Sequence, residues 1–178
     1  MRARFEHRQA WGKMRAERAK LYFMCGKMAA GKSTYARELA QTKNAVLLIQ
    51  DEFLETLYPG EIRSVQDFAQ CSARVRDALS IHIQDLLSRA ISVVLDFPGN
   101  TRVQRQWFRE IIDGANVEHE LHFIDAPDDL CKRQLKQRSA NLPAGSSWTT
   151  DVEFDAITVY FQAPVEDEKF NVIRHERA

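Results

Sequence analysis

At 178 residues, 44% hydrophobic and 28% charged, the chain suits one soluble globular domain built on a single core. Lys+Arg and Asp+Glu balance at 25 each, so bulk charge supplies no drive toward nucleic acid or a membrane surface, although a zero sum still permits a local basic groove. The 3 cysteines, Cys25, Cys71 and Cys131, are odd in number and form no C-x-x-C pair, which argues against a disulfide framework or zinc knuckle and fits the reduced thiols of a cytoplasmic protein.

No apolar stretch approaches the length needed to cross a bilayer. Residues 1–20 carry 7 Lys/Arg and 2 Asp/Glu around no apolar core, so they do not read as a secretory signal. The expected organisation is a basic N-terminal leader over 1–19 followed by one folded domain over 20–178. Leu21–Cys25 reads as the first strand and Ala45–Ile49 as the second, with a helix from Lys32 to Gln41 between them. Asp51–Leu57 forms a short helix or turn that stops at Pro59-Gly60. A long helix spans Val65–Ala90, on which Phe68, Val75, Leu79, Ile83, Leu86 and Leu87 recur at helical spacing.

Ile91–Leu95 is the third predicted strand. A helix over Arg102–Asp113 follows, opened by a capping box of Thr101 and Gln104. Glu118–Ile124 is the fourth strand, and Pro127 suits the first position of a helix running to Arg138. Residues 141–150, rich in Pro, Gly and Ser, read as a mobile loop; a helix over Val152–Phe161 and a fifth strand over Phe170–Ile173 complete the chain. Strands alternating with helices predict an α/β fold of three layers, with a largely parallel sheet covered on both faces.

Gly26-Lys27-Met28-Ala29-Ala30-Gly31-Lys32-Ser33 matches G-x-x-x-x-G-K-[ST] at every fixed position, between a predicted strand and a predicted helix. Glycine permits the tight turn and the close approach of backbone to phosphate. Successive N–H groups form an anion nest, which the helix dipole reinforces. Lys32 supplies an ammonium to terminal phosphates, Ser33 a hydroxyl to Mg²⁺, and Thr34 continues the nucleotide-binding stretch. Asp51 follows the second strand and Asp96 the third, at the carboxyl ends where open parallel sheets bind ligands. With strands about 4.8 Å apart, and the third strand beside the first, Asp96 sits one strand from the phosphates and suits Mg²⁺. Asp51 then sits two strands away and suits a base. Helix-cap or turn roles for both carboxylates stay open.

Together these residues resemble the P-loop kinases of the zeta-toxin and polynucleotide 5′-kinase type, a group similar to chloramphenicol phosphotransferase and to AAA-like ATP-binding proteins. The likeness to the AAA-like group runs through Cys25–Thr34 and Leu95–Thr101 and covers about residues 20 to 175. It implies a five-stranded sheet in the order 2-3-1-4-5, a small helical lid, ATP with Mg²⁺, and transfer of the γ-phosphate to a hydroxyl. It further implies Asp51 as the acceptor-activating base and a lid arginine at the transferring phosphate, with Arg138 first and Arg133 second; a solvated basic face is the alternative for both. It places the stretch Pro164–Phe170 near the adenine. Gln50, where polynucleotide kinases tend to carry Arg, and the displaced Asn100 depart from the 5′-hydroxyl kinase pattern.

The expected partners are therefore ATP and a small-molecule hydroxyl acceptor, with nucleic acid the less favoured acceptor; the oligomeric state is not encoded in any motif. A nucleotide-dependent switch or adaptor that hydrolyses ATP slowly is the rival reading. His119 and His122 lie on one predicted strand at odd and even positions, so they face opposite sides and share no metal. Arg102 and Arg105 open the helix after Asp96 and read either as surface charges or as contacts to an anionic acceptor.

Overall fold

The computed structural model describes residues 19–140 and 150–178. The basic leader up to residue 18, the Pro/Gly/Ser-rich loop over 141–149, and with them Trp11 and Trp148, lie outside the described residues. Five strands, β1 (Lys20–Cys25), β2 (Val46–Ile49), β3 (Val93–Asp96), β4 (Glu118–Asp125) and β5 (Val172–Glu176), form one sheet in the order β2-β3-β1-β4-β5. Every pairing is parallel, so all carboxyl ends lie on one edge.

The alternation of β1 builds two faces. Leu21, Phe23 and Cys25 pack into the main core. They meet Val75 and Ile83 of the helix α3 (Val65–Ser88) and Phe108 and Ile111 of α4 (Arg102–Ala115). Tyr22 and Met24 point the other way, onto Ala36, Leu39 and Ala40 of α1 (Lys32–Lys43). A third cluster joins Ile124 and Ala126 to Cys131 and Leu135 of α5 (Asp128–Ala140) and to Phe154 of α6 (Asp151–Thr158). The three cysteines are free and buried.

The helix starts are set by local chemistry. Thr101 and Gln104 form the expected capping box, a second one joins Thr150 and Glu153, and the Ser64 side chain accepts from the Asp67 N–H. The short helix α2 (Gln50–Leu57) begins directly after β2, with Ile49 as its N-cap. The fifth strand lies further along the chain than the composition suggested. Phe170 is anchored by its ring, edge-on to Phe23 at 5.4 Å and under the Arg109 guanidinium at 4.3 Å, and pairing with β4 begins at Val172.

Candidate active site

The loop between β1 and α1 has the geometry of an anion nest. Gly26 (φ 151°) and Gly31 (φ 100°) take backbone conformations that L side chains rarely adopt. A Cβ on Gly26 would stand 2.6 Å from the Ile124 carbonyl oxygen. Ala29 is also left-handed, at φ 56°. Gly31 is the N-cap of α1 and carries no side chain, so no cap claims the first helical N–H groups. Lys32 Nζ donates to the carbonyls of Gly26 and Lys27, each at 2.8 Å, and so lies folded against the loop.

The two carboxylates stand where the strand ends should place them. Ile49 and Asp96 are register partners on β2 and β3, and β3 is the direct neighbour of β1. Burial holds the Lys32 ammonium below its usual range, and Asp96 is the principal charge opposing that shift. The Asp51 carboxyl is held above its usual range, first by desolvation and then by the charge of Asp96, with Lys32 pulling the other way. Lys32, Asp96 and Asp51 therefore form one electrostatic unit. Asp51 lies in the first turn of α2 but does not cap it. Its neighbour Glu52 points away to Arg37, at 2.9 Å.

Asn100 supplies a contact that sequence spacing had made to look displaced. Its Oδ1 accepts the Gly26 N–H at 3.1 Å, tying the segment after β3 to the first glycine of the loop. Its own N–H is held by Gln104, at 2.8 Å, within the α4 cap.

A cavity of about 590 Å³ opens beside Gly31, bordered by Thr34, Gln134, Arg138, His175 and Arg177. Arg138 is exposed on this rim, and its charge depresses the Lys32 ammonium further. Of the two arginines expected near the transferring phosphate, both are exposed, and Arg138 borders the cavity whereas Arg133 does not. Lys132 and Lys136 pair with Asp155 and Asp151 at 2.7 and 3.0 Å, joining α5 to α6. Arg177 went unnoticed in the sequence. Its Nη1 donates to the Ala30 carbonyl at 2.7 Å, and Gln134 bridges the Ala29 carbonyl to Arg177 Nη2. No local motif signals this bracing of the loop, because the chain end reaches the site only through the β4–β5 pairing.

One expectation is corrected. Arg105 is fully buried. Its Nε and Nη2 each donate to Glu168 at 2.7 Å, and its Nη1 to the carbonyls of Gly99 and Gln162, so it is a structural ion pair and not a contact for an anionic acceptor. Arg102 is likewise engaged, with Asp167. These pairs also fix the stretch Pro164–Phe170 against α4, and none of its residues lines the cavity beside Gly31. His119 and His122 do face opposite sides: His119 packs on Phe23 and Phe170, whereas His122 stacks on His175. Burial and the His175 charge hold His122 down to about 4, so it is neutral. Burial pushes the Cys25 thiol up to about 12, leaving it unreactive beside the loop.

The residues present fit a magnesium ion. The Ser33 hydroxyl and Asp96 carboxylate are hard oxygen donors at the loop's edge, and no group of three or more His, Cys, Asp or Glu side chains forms an all-protein metal cage among the described residues. One or two protein oxygens beside phosphates is the donor set that Mg²⁺ prefers.

Known structures share this architecture at low identity. A candidate kinase from Chloroflexus aurantiacus superposes with a TM-score of 0.70 at 16% identity, covering 90% of this chain and 89% of its own. Kti12 of Chaetomium thermophilum, solved with ADP-AlF3, gives 0.62 at 16% identity over 88% of each chain. The adenosine phosphosulfate (APS) kinase CysC of Mycobacterium tuberculosis, solved with AMPPNP and APS, gives 0.55 at 19% identity, covering 89% of this chain and 88% of its own. No curated protein matches the sequence. The family described as "AAA domain" matches residues 21–164, and with its nest-forming loop and 2-3-1-4-5 sheet the chain belongs to that family and has a P-loop kinase-like fold.

Proposed function

We propose that the protein is an ATP-dependent phosphotransferase that moves the γ-phosphate of ATP to a hydroxyl of a small molecule. The observation that supports this reading is the arrangement at the carboxyl edge of the sheet: the loop and Lys32 follow β1, Asp96 ends the adjacent β3, and Asp51 opens α2 after β2, one strand further out, where a base for an acceptor hydroxyl would stand. A switch needs no such base. The fold neighbours agree in kind, since the solved relatives carry AMPPNP or ADP-AlF3.

In this reading the N–H groups of the loop between Gly26 and Thr34 that no protein acceptor claims cradle the phosphates, Gly26 and Ala30 being held by Asn100 and the Lys27 carbonyl. Lys32 exchanges its two carbonyl partners for phosphate oxygens. Ser33 and Asp96 would hold Mg²⁺, which would supply positive charge to offset that of the phosphates. Asp51 accepts the proton of the acceptor hydroxyl as its oxygen bonds to the γ-phosphorus. The bond from that phosphorus to the bridging oxygen breaks, and ADP leaves with the electron pair. Arg138 neutralises the equatorial oxygens, and Thr34 and the cavity beside Gly31 receive the nucleoside. This division of roles assigns Arg133 no part in the transfer. The narrower kinship with zeta toxins and polynucleotide kinases belongs to the proposal too; the Gln50 and Asn100 departures weigh against a nucleic-acid end as acceptor.

The direct test is transfer of labelled γ-phosphate to a panel of hydroxyl metabolites, with 5′-hydroxyl oligonucleotides and an acceptor-free ATPase control beside it. Acceptor-dependent transfer well above the ATPase rate is expected; hydrolysis with no acceptor dependence favours the switch. Removing one such charge-stabilising group typically lowers turnover about 10²–10³-fold, so Arg138→Ala is expected to fall in that range and Arg133→Ala to stay near wild type, as steady-state kinetics will show.

A further inference from the structure

Two clefts flank the first turn of α3 on the side of the loop away from Arg177. One, of about 400 Å³, runs from Asp51 past Leu54, Glu55 and Tyr58 to Ile62 and Phe68. The other, of about 360 Å³, lies between Lys27-Met28 of the phosphate loop, Val65, the Asn100–Gln104 segment, and Ile157, Tyr160 and Phe161. Phe68 of the first and Val65 of the second are one helical turn apart on α3.

Among the described residues, the charged side chains that line these clefts are acidic or already paired. Among the described residues, none lining the first cleft is cationic, and two, Asp51 and Glu55, are acidic. The single cation of the second is Lys27, which is paired with Asp128. The nearby arginines are committed elsewhere: Arg37 to Glu52, Arg102 to Asp167, and Arg105 to Glu168. Arg63, next to Ile62, donates its Nε to the Gly60 carbonyl at 3.3 Å.

The remaining surface is apolar. Val65 is 87% exposed, Tyr160 72%, Ile157 51% and Phe68 38%, which is more greasy surface than scattered single residues would give. An acceptor bearing a phosphate or carboxylate in the first cleft would lie against two carboxylates, and among the described residues no cationic side chain lines that cleft to meet it. A neutral alcohol with an apolar or aromatic body would cover the exposed rings and keep its hydroxyl for Asp51.

We infer that the acceptor is an uncharged alcohol with an apolar body, and that phosphorylated sugars, nucleotides and nucleic-acid ends are excluded by the charge of the cleft. The inference rests on the phosphotransferase reading and names its substrate class. It is tested on the full chain loaded with Mg²⁺ and AMPPNP, using ligand-observed NMR. The probes are matched pairs of alcohols, one member carrying a phosphate or carboxylate and the other not, over bodies from polyol to aromatic.

Binding of uncharged apolar members, about tenfold or more tighter than their anionic counterparts, is expected. Phe68→Lys is expected to shrink that gap, whereas Arg63→Ala leaves it unchanged. Equal or tighter binding of the anionic members, or no binding by any uncharged apolar member, overturns the inference. AMPPNP binding is titrated in the same samples, so a failure there is recognised as failure of the phosphotransferase reading itself.

Discussion

Replacing Asp51 by Asn is expected to lower γ-phosphate transfer by about 10²–10⁴-fold, the usual contribution of a positioned general base, while leaving the affinity for Mg²⁺-ATP within about twofold. The geometry separates the two effects. Asp51 stands at the end of β2, whereas the phosphate-facing N–H groups and Lys32 belong to the loop after β1, with β3 between them. The raised proton affinity of the Asp51 carboxyl has two further consequences. The base works only when ionised, so the acid limb of the kcat/KM profile should lie above the ordinary carboxylate range and vanish in the variant.

The same shift bears on stability. A carboxyl whose folded pKa exceeds its unfolded value carries a folding cost. That cost sets in as pH rises from the unfolded value through the folded one and stays constant above it. In the absence of nucleotide, Asp51→Asn should therefore raise Tm at neutral pH and lose that gain in acid. Calorimetry at several pH values measures this. A variant that lost both transfer and stability would mark Asp51 as structural.

Arg105→Ala is the second large effect, and it falls on the fold. The guanidinium is fully buried, donates to both Glu168 oxygens at 2.7 Å and holds the Gly99 and Gln162 carbonyls at 2.9 and 2.8 Å. Truncation leaves the Glu168 carboxylate, 9% exposed in its side chain, with the Val165 N–H alone, and takes the guanidinium from the Gly99 and Gln162 carbonyls. Removing one partner of a buried pair costs about 3–5 kcal/mol, which a shift of the urea midpoint at constant m-value reads out. The exposed Arg102–Asp167 pair is the control, worth at most about 1 kcal/mol.

Burial, the largest single effect, would raise the Glu168 carboxyl, but the Arg105 hydrogen bonds, the Val165 N–H and the charges of Arg105 and Arg102 together outweigh it and hold the group below its usual range. Its stabilising contribution is thus complete above the ordinary glutamate value and is lost as pH falls through the lowered one. Because Arg105 holds Gly99, and the next residue Asn100 binds the Gly26 N–H, the variant should also weaken nucleotide binding.

The loop at Gly26–Ser33 was legible because the chemistry fixes residue types at fixed spacing over eight consecutive positions. The strand order followed from the resemblance those positions carry, and the sheet reproduces it. Asp51 and Asp96 were legible because parallel strands put their following residues on one edge. Arg177 and Gln134 were not, since both reach the loop from far along the chain and neither belongs to a local pattern. Arg102 and Arg105 read alike, as charges opening a helix. Three residues of helical rotation and the turn over Glu166–Glu168 put one at the surface with Asp167 and the other in the core with Glu168. The fifth strand was placed early because Phe170 looks like a strand residue, whereas its ring serves as an anchor under Arg109.

The account stands on a main-chain nest and one lysine holding a nucleoside triphosphate. Calorimetric titration of ATP into the wild-type protein and into Lys32→Ala, with and without Mg²⁺, tests it most directly. The wild type should bind ATP in a magnesium-dependent manner, and the variant should bind about 10–100-fold more weakly, the loss of charge-assisted contacts worth about 1.5–3 kcal/mol. Absence of magnesium-dependent binding by the wild type, or equal binding by Lys32→Ala, would contradict it.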